Sequence, residues 1–156
     1  MQKDYTNRDM NIQLNPNIDA CKTSVLIVDD IPINVTLIEK MLKPFHFVIE
    51  KANDGQTALD IVADNKPDLI LLDLMMPGIN GYDVIKQLRA KEETKQLPII
   101  VISALNSNED VVKGYDLGAN DFLTKPIIMN RLFYMRINRK PIFIQLRPHQ
   151  RNNATQ

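Results

Sequence analysis

Five side chains in this 156-residue chain are of types that could do chemistry together: Asp29, Asp30, Asp73, Ser103 and Lys125. Asp29 and Asp30 follow the apolar run 24–28, Asp73 follows 69–72, and Ser103 follows 99–102. Lys125 stands in Thr124–Lys125–Pro126, just after Phe122 and Leu123. In an open α/β sheet, ligands bind beyond the carboxyl ends of the strands. With these runs as strands, three carboxylates, a hydroxyl and an ammonium converge on one rim. Two like charges about 4 Å apart repel by about 4 kcal/mol at an effective dielectric near 20. Three carboxylates so placed require a cation. An all-oxygen ligand set suits a hard divalent ion. Mg²⁺ takes one or two carboxylates, keeps several waters and favours a phosphate oxygen, which points to phosphate chemistry.

The usual nucleotide cradles are missing from the sequence. The glycines stand at positions 55, 78, 81, 114 and 118, and they form neither G-x-x-x-x-G-K-[ST] nor G-x-G-x-x-G. What remains is a phosphoryl group held by side chains, with Mg²⁺ on one side, Lys125 on another and Ser103 donating a hydrogen bond. The remaining carboxylate can be the nucleophile. Phosphoryl transfer needs little beyond an in-line nucleophile and charge neutralisation, and the product would be an aspartyl phosphate.

The elements that must position these groups are legible in the hydrophobic pattern. Runs 24–28, 47–49, 69–72, 99–102 and 122–123 lack alternation, as strands buried on both faces do. Helical spacing lies between them. Ile33, Leu37, Ile38, Met41 and Leu42 mark a first helix stopped by Pro44, and Ala58, Leu59, Ile61 and Val62 a second ended by Lys66–Pro67. Val84, Ile85 and Leu88 mark a third, entered through Asn80–Gly81. Val111, Val112 and Tyr115 mark a fourth, opened by the capping pattern Ser107-x-x-Asp110 and closed by Gly118. Ile128, Leu132 and Met135 predict a fifth over 127–138. Strands alternating with helices predict a doubly wound, five-stranded parallel α/β sheet. Residues 1–22 are polar and read as a mobile arm. Residues 140–156 fall outside the pattern, and 142–146, between Pro141 and Pro148, could pair as a strand or pack on the body.

Composition narrows the classes further. Lys+Arg and Asp+Glu are both 19, so no global charge argues for nucleic acid as a partner. The balance is uneven along the chain. Residues 1–121 hold 19 acidic and 12 basic side chains, and 122–156 hold 7 basic and no acidic ones. An acidic body thus carries a basic end. Apolar residues make up 44%, enough for one core. One cysteine, Cys21, excludes an internal disulfide, and His46 and His149 leave little for an imidazole metal site. The apolar runs are too short to cross a membrane, and the N-terminus lacks a signal-peptide core, so a cytoplasmic protein is expected.

Four segments together resemble the receiver domain of two-component response regulators. They are residues 25–30 (VLIVDD), 72–78 (LDLMMPG), 102–104 (ISA) and 121–126 (DFLTKP). The intervals of 43, 30 and 22 residues between Asp30, Asp73, Ser103 and Lys125 match that family's spacing. The resemblance covers about residues 22–138. It implies a flavodoxin-like (βα)5 fold with strand order 2-1-3-4-5, a receiver unit over 23–139 and a basic tail over 140–156. It implies Asp73 as phosphoacceptor, Asp30 as direct metal ligand, Asp29 as a ligand through water and the backbone carbonyl of Met75 as a further ligand. Lys125 would pair with the phosphoryl oxygens, Ser103 and Phe122 would be the switch pair, and Lys125–Pro126 would be a cis peptide. The cofactor implied is Mg²⁺, for which Mn²⁺ could substitute.

The partners implied are a sensor histidine kinase or a histidine phosphotransfer protein. Downstream would stand another protein or a second receiver, bound through the fourth helix, fifth strand and fifth helix. Membranes and nucleic acid are not expected as partners. The chain would be a stand-alone switch with weak self-directed phosphatase chemistry, not an enzyme acting on outside substrates. A flavodoxin-like cofactor binder is disfavoured because Asp29–Asp30–Ile31–Pro32 would repel a bare phosphate. A haloacid-dehalogenase-type phosphatase would need a second Asp at position 75, which is Met. A receiver serving only for docking, with little phosphorylation, would lack one of these side chains, and all are present.

Overall fold

The computed structural model describes residues 10–14, 23–127, 136–137, 140–141 and 144–148. In chain order the elements are β1 (Met10–Leu14), β2 (Ser24–Val28), α1 (Pro32–Leu42), β3 (Val48–Ala52), α2 (Gly55–Asp64), β4 (Leu69–Leu72) and α3 (Gly81–Ala90). There follow β5 (Ile99–Ser103), α4 (Asn108–Leu117), β6 (Asp121–Thr124), β7 (Arg136–Ile137), β8 (Lys140–Pro141) and β9 (Ile144–Pro148). Five parallel strands form one sheet in the order β3-β2-β4-β5-β6. Counted within the sheet, this is the expected order 2-1-3-4-5.

The buried strands explain themselves by their period of two. Val25 and Ile27 of β2 face a core with Val35, Ile38 and Leu42 of α1. Leu26 and Val28 face the opposite core, with Ala58 and Val62 of α2 and Val84 and Leu88 of α3. The central strands β4 and β5 are buried at every position and apolar except for Ser103 at the end of β5, because both faces are covered. Each fully buried Leu or Ile contributes roughly 1.5–3 kcal/mol. This two-sided core fixes where the strands end, and so where the rim lies.

The helix ends follow the sequence signals. Pro32 opens α1, and Pro44 diverts the chain into a 3-10 turn over Lys43–Phe45. Asp54, Asn80 and Ser107 cap α2, α3 and α4 by accepting from Thr57, Asp83 and Asp110 N–H groups. Ser107 also donates its hydroxyl to Asp110 Oδ2 at 2.6 Å, a variant of the capping box. Gly118 closes α4 at φ 112°.

Two expectations need correction. The arm over 1–22 contains β1, which pairs antiparallel with β9 from Met10↔Pro148 to Leu14↔Ile144. The sequence Met-Asn-Ile-Gln-Leu alternates apolar and polar residues, a strand period inside a polar stretch, and Ile144-Gln145-Leu146-Arg147 alternates likewise. The helix expected over 127–138 does not extend through its end, because Arg136–Ile137 forms β7 paired with β8. A β-branched residue at 137 and a proline at 141 favour extended backbone there. Residues 128–135 of that expected helix lie outside the described residues.

One glycine carries the geometry of the rim. A Cβ on Gly81, the first residue of α3, would meet the Asp73 carbonyl oxygen and lie 2.8 Å from Leu74 Cα. Helix α3 therefore starts against the backbone that presents Asp73. Gly81→Ala is expected to destabilise the fold by about 1–3 kcal/mol. A urea denaturation midpoint equal to that of the wild type would refute this packing.

Candidate functional site

The five side chains predicted to do the chemistry stand at the carboxyl end of the sheet, and Phe122 lies within β6 opposite Val101. Asp29 and Asp30 follow β2, Asp73 follows β4, Ser103 ends β5, and Lys125 follows β6. The register places β2 beside β4 and β4 beside β5, so the groups share one rim. One carboxylate oxygen from each of Asp29, Asp30 and Asp73 lies within 4.8 Å of the other two. Asp29 and Asp73 are 2% and 5% exposed, so two of the three charges are largely withdrawn from water.

Lys125 compensates part of this charge. Its Nζ lies 2.8 Å from Asp29 Oδ2 and 3.4 Å from Asp73 Oδ2. The ammonium thus bridges two strand ends and sits closer to Asp29 than to Asp73. The peptide that carries it is cis at Lys125–Pro126. Its backbone N–H donates to the Ser103 carbonyl at 2.9 Å, which ties β6 to the end of β5.

The three carboxylates differ in how well they are satisfied. Asp29 Oδ1 accepts from Ile31 N–H at 2.9 Å, and its Oδ2 takes Lys125. Asp73 Oδ1 accepts a longer bond from Met75 N–H, 3.4 Å. Asp30 Oδ1 is buried and accepts no hydrogen bond among the described residues. A buried, unpartnered carboxylate oxygen is costly. Its position within an all-oxygen cluster suits a hard divalent cation better than a soft one.

Burial pushes the Asp73 carboxyl above the usual carboxylate range. The Lys125 ammonium opposes that shift, the Asp29 charge adds to it, and hydrogen bonds from Met75 N–H and Lys125 oppose it. Its location beside a like charge is the arrangement that makes a carboxylate seek a cation.

Ser103 is wholly buried and its Oγ accepts from Leu105 N–H at 3.2 Å. That bond leaves the hydroxyl its own proton to donate. Phe122 is half-buried against the core, and its ring meets the face of α4 where Gly114 lacks a Cβ; a Cβ there would stand 3.3 Å from Phe122 Cδ2. Met75 is 62% exposed on the loop after Asp73.

Residue types alone did not single out Tyr82, Lys113 and Arg89. The Tyr82 hydroxyl donates to the Asp110 carbonyl at 3.2 Å, and Lys113 Nζ lies 4.3 Å from the centroid of its ring. Arg89 donates to the carbonyls of Gly118 and Thr94 and to Asn120 Oδ1. These ties depend on how α3 and α4 pack, and no local motif encodes them.

The family model for the response regulator receiver domain matches residues 25–135. Response regulator PleD of Caulobacter vibrioides is 45% identical over 103 residues, covering 66% of this chain and 23% of that protein. The chain therefore spans less than a quarter of that relative's length. Protein PilH of Pseudomonas aeruginosa is 36% identical over 103 residues, 66% of this chain and 85% of PilH. Among solved structures, a putative response regulator from Chloroflexus aurantiacus superposes with a TM-score of 0.69 at 34% identity, covering 72% of this chain and 92% of that one. The chemotaxis protein CheY4 of Vibrio cholerae gives 0.66 at 29% identity, covering 70% and 92%.

The raised Asp73 value has a consequence for stability. A carboxyl whose folded value lies above its unfolded one contributes stability that is fully present below the ordinary value of 3.8. That contribution is lost as pH rises through the raised folded value. Asp73 therefore costs the fold stability above that value. In chelator at pH 7, Asp73→Asn is expected to melt above the wild type. The gap should close on acidification below the ordinary value, and thermal melts showing the opposite trend would refute it.

Proposed function

The chain belongs to the family of response regulator receiver domains, and from that premise we propose that Asp73 accepts a phosphoryl group from a phosphohistidine and so switches a partner-binding face. Receiver domains are phosphorylation-activated signalling switches, and the finer assignments here concern this chain's own residues. One observation carries them: Asp29, Asp30 and Asp73 meet on a single rim, with Lys125 between two of them.

Asp30 would hold Mg²⁺ directly, Asp29 through water, and Asp73 and the Met75 carbonyl would complete the protein's share; Mn²⁺ is an equivalent hard ion. When bound, the ion supplies neutralisation of the negative oxygens on the phosphoryl group. Asp73 is the nucleophile. Its carboxylate oxygen forms a bond to phosphorus as the phosphorus–nitrogen bond to the donor imidazole breaks. The imidazole nitrogen keeps that electron pair and takes a proton from solvent. Lys125 binds a phosphoryl oxygen, which draws it from its ground-state place on Asp29. Ser103 donates its free hydroxyl proton to another. Water later attacks phosphorus, which restores the Asp73 carboxylate and releases inorganic phosphate. The protein is a phosphoacceptor and acts on no outside substrate.

The added charge and acceptor oxygens draw Ser103 towards the phosphoryl group. Phe122 then turns into the space vacated, and the surface of α4 and β6 changes. That surface, with Val112 and Tyr115 exposed, is the proposed readout for a downstream protein or a second receiver. The donor is a sensor histidine kinase or histidine phosphotransfer protein in the cytoplasm. We keep 23–139 as the receiver unit, with 1–22 and the basic 140–156 as appendages. Among the described residues no helix is long and apolar enough to cross a membrane.

Intact mass spectrometry after incubation with acetyl phosphate and Mg²⁺ tests the reading. The wild type should gain one phosphoryl group, chelator should abolish the gain, and Asp73→Asn should show none. Lys125→Met should slow labelling by about a hundredfold, the cost of one preorganised donor. Labelling of Asp73→Asn at the wild-type rate would overturn the assignment.

A further inference from the structure

Helix α4 is fastened at its two ends in unequal ways. Its C-terminal end is held by Arg89, whose Nε donates to the Gly118 carbonyl at 2.9 Å and whose Nη2 donates to Asn120 Oδ1 at 2.9 Å. Tyr115 adds a bond from its hydroxyl to Asp121 Oδ1 at 3.0 Å. Several of these bonds involve a charged partner, and such bonds are the stronger class. The N-terminal half has a lighter fastening to α3. There the Tyr82 hydroxyl donates to the Asp110 carbonyl at 3.2 Å, and Lys113 rests over the Tyr82 ring at 4.3 Å. One neutral bond and one solvent-exposed cation–π contact are weak enough to release.

Tyr82 is also the residue next to Gly81, which abuts the Asp73 carbonyl and Leu74 Cα. The Gly81 N–H donates to the Leu74 carbonyl at 3.1 Å. The loop bearing Asp73 and the first residues of α3 are therefore one packed unit. Tyr82 extends that unit to α4 across an open groove of about 530 Å³ lined by Met75, Pro77, Asn80 and Lys113 among others. The ring packs on the edge of the core, and the groove leaves open space beside it. Burial, with the Asp110 charge behind it, raises the Tyr82 hydroxyl pKa, so it stays a donor at neutral pH.

We propose that Tyr82 is a positioning residue: it latches the first turns of α4 to the Asp73 loop and holds α4 in its unphosphorylated place. The inference rests on the phosphorylation reading above and adds a link separate from Ser103 and Phe122. Release frees the N-terminal half of α4, while Arg89 keeps the other end as a pivot. A latch made only in the resting arrangement also opposes phosphorylation, because whatever favours one state disfavours the other by the same factor.

Tyr82→Phe keeps the ring under Lys113 and removes only the hydroxyl. Amide hydrogen exchange by NMR, with acetyl phosphate labelling by mass spectrometry, decides the matter. Exchange at Val111–Gly114 in the unphosphorylated protein should rise about fivefold, the ordinary worth of one neutral hydrogen bond. Exchange at the Arg89-held end, residues 117–120, should stay at the wild-type rate. Labelling of Asp73 with Mg²⁺ should be faster by a similar factor. Lys113→Gln, which spares the hydroxyl, should move both readouts the same way. Exchange raised evenly along α4 would make Tyr82 merely structural, and raised exchange with unchanged labelling would cut its link to Asp73. Either result overturns the latch and leaves the receiver assignment standing. A wild type that does not label at all refutes the phosphorylation reading itself.

Discussion

Everything at the rim follows from three carboxylates being gathered around one ammonium that reaches only two of them. Asp29 and Asp73 are nearly inaccessible, and one oxygen from each of the three acids lies within 4.8 Å of the others. In bulk water such charges would separate or be screened. Here the strand ends forbid separation, because each acid follows a strand whose register is set by two hydrophobic cores. Lys125 relieves only part of the excess, and it does so by bridging Asp29 and Asp73. A site in this condition takes up positive charge readily. Its Asp73 carboxylate is paired only in part, by Lys125 at 3.4 Å and Met75 N–H at 3.4 Å.

The fold bears the cost of holding this arrangement through close backbone contacts. Gly81 lets α3 begin directly against the Asp73 carbonyl, and Gly55 lets α2 begin against the Ile79 carbonyl. With side chains at these points the two helices would retreat and the loop after β4 would widen. Capping by Asp54 and Asn80 fixes the same helix starts from the other side. The hydrophobic layers thus set the height of the rim, and the glycine contacts set its width.

Much of this could be read from residue order. Uninterrupted apolar runs marked the central strands because both faces of the sheet are covered, and Pro44, Asn80, Ser107 and Gly118 marked helix ends by their own backbone chemistry. The approach of Asp29, Asp30 and Asp73 followed once the runs were taken as parallel neighbours. The lysine's preference for Asp29 over Asp73 was not legible, since it depends on differences of tenths of an ångström. Nor were the Tyr82 and Arg89 ties, which join residues 28 to 31 apart across two helices. The strand over Met10–Leu14 was signalled by strict alternation, but the polar residues around it concealed the period, and its partner lies at the far end of the chain.

The adjacent pair Asp29–Asp30 shows why two acids at one strand end are not redundant. Asp30 stands at a bend just beyond the strand, so although the two acids reach the same cluster their carboxylates meet different surroundings. Asp29 is fully engaged, with one oxygen on Ile31 N–H and the other on Lys125. An incoming cation would have to displace the ammonium to reach it directly. Asp30 has a buried oxygen with no donor among the described residues, and a cation there displaces nothing. For the cation proposed above, direct ligation by Asp30, with Asp29 reached through water, would therefore cost least. In the proposed reading it would leave Lys125 in place until a phosphoryl oxygen offered it a better partner than Asp29.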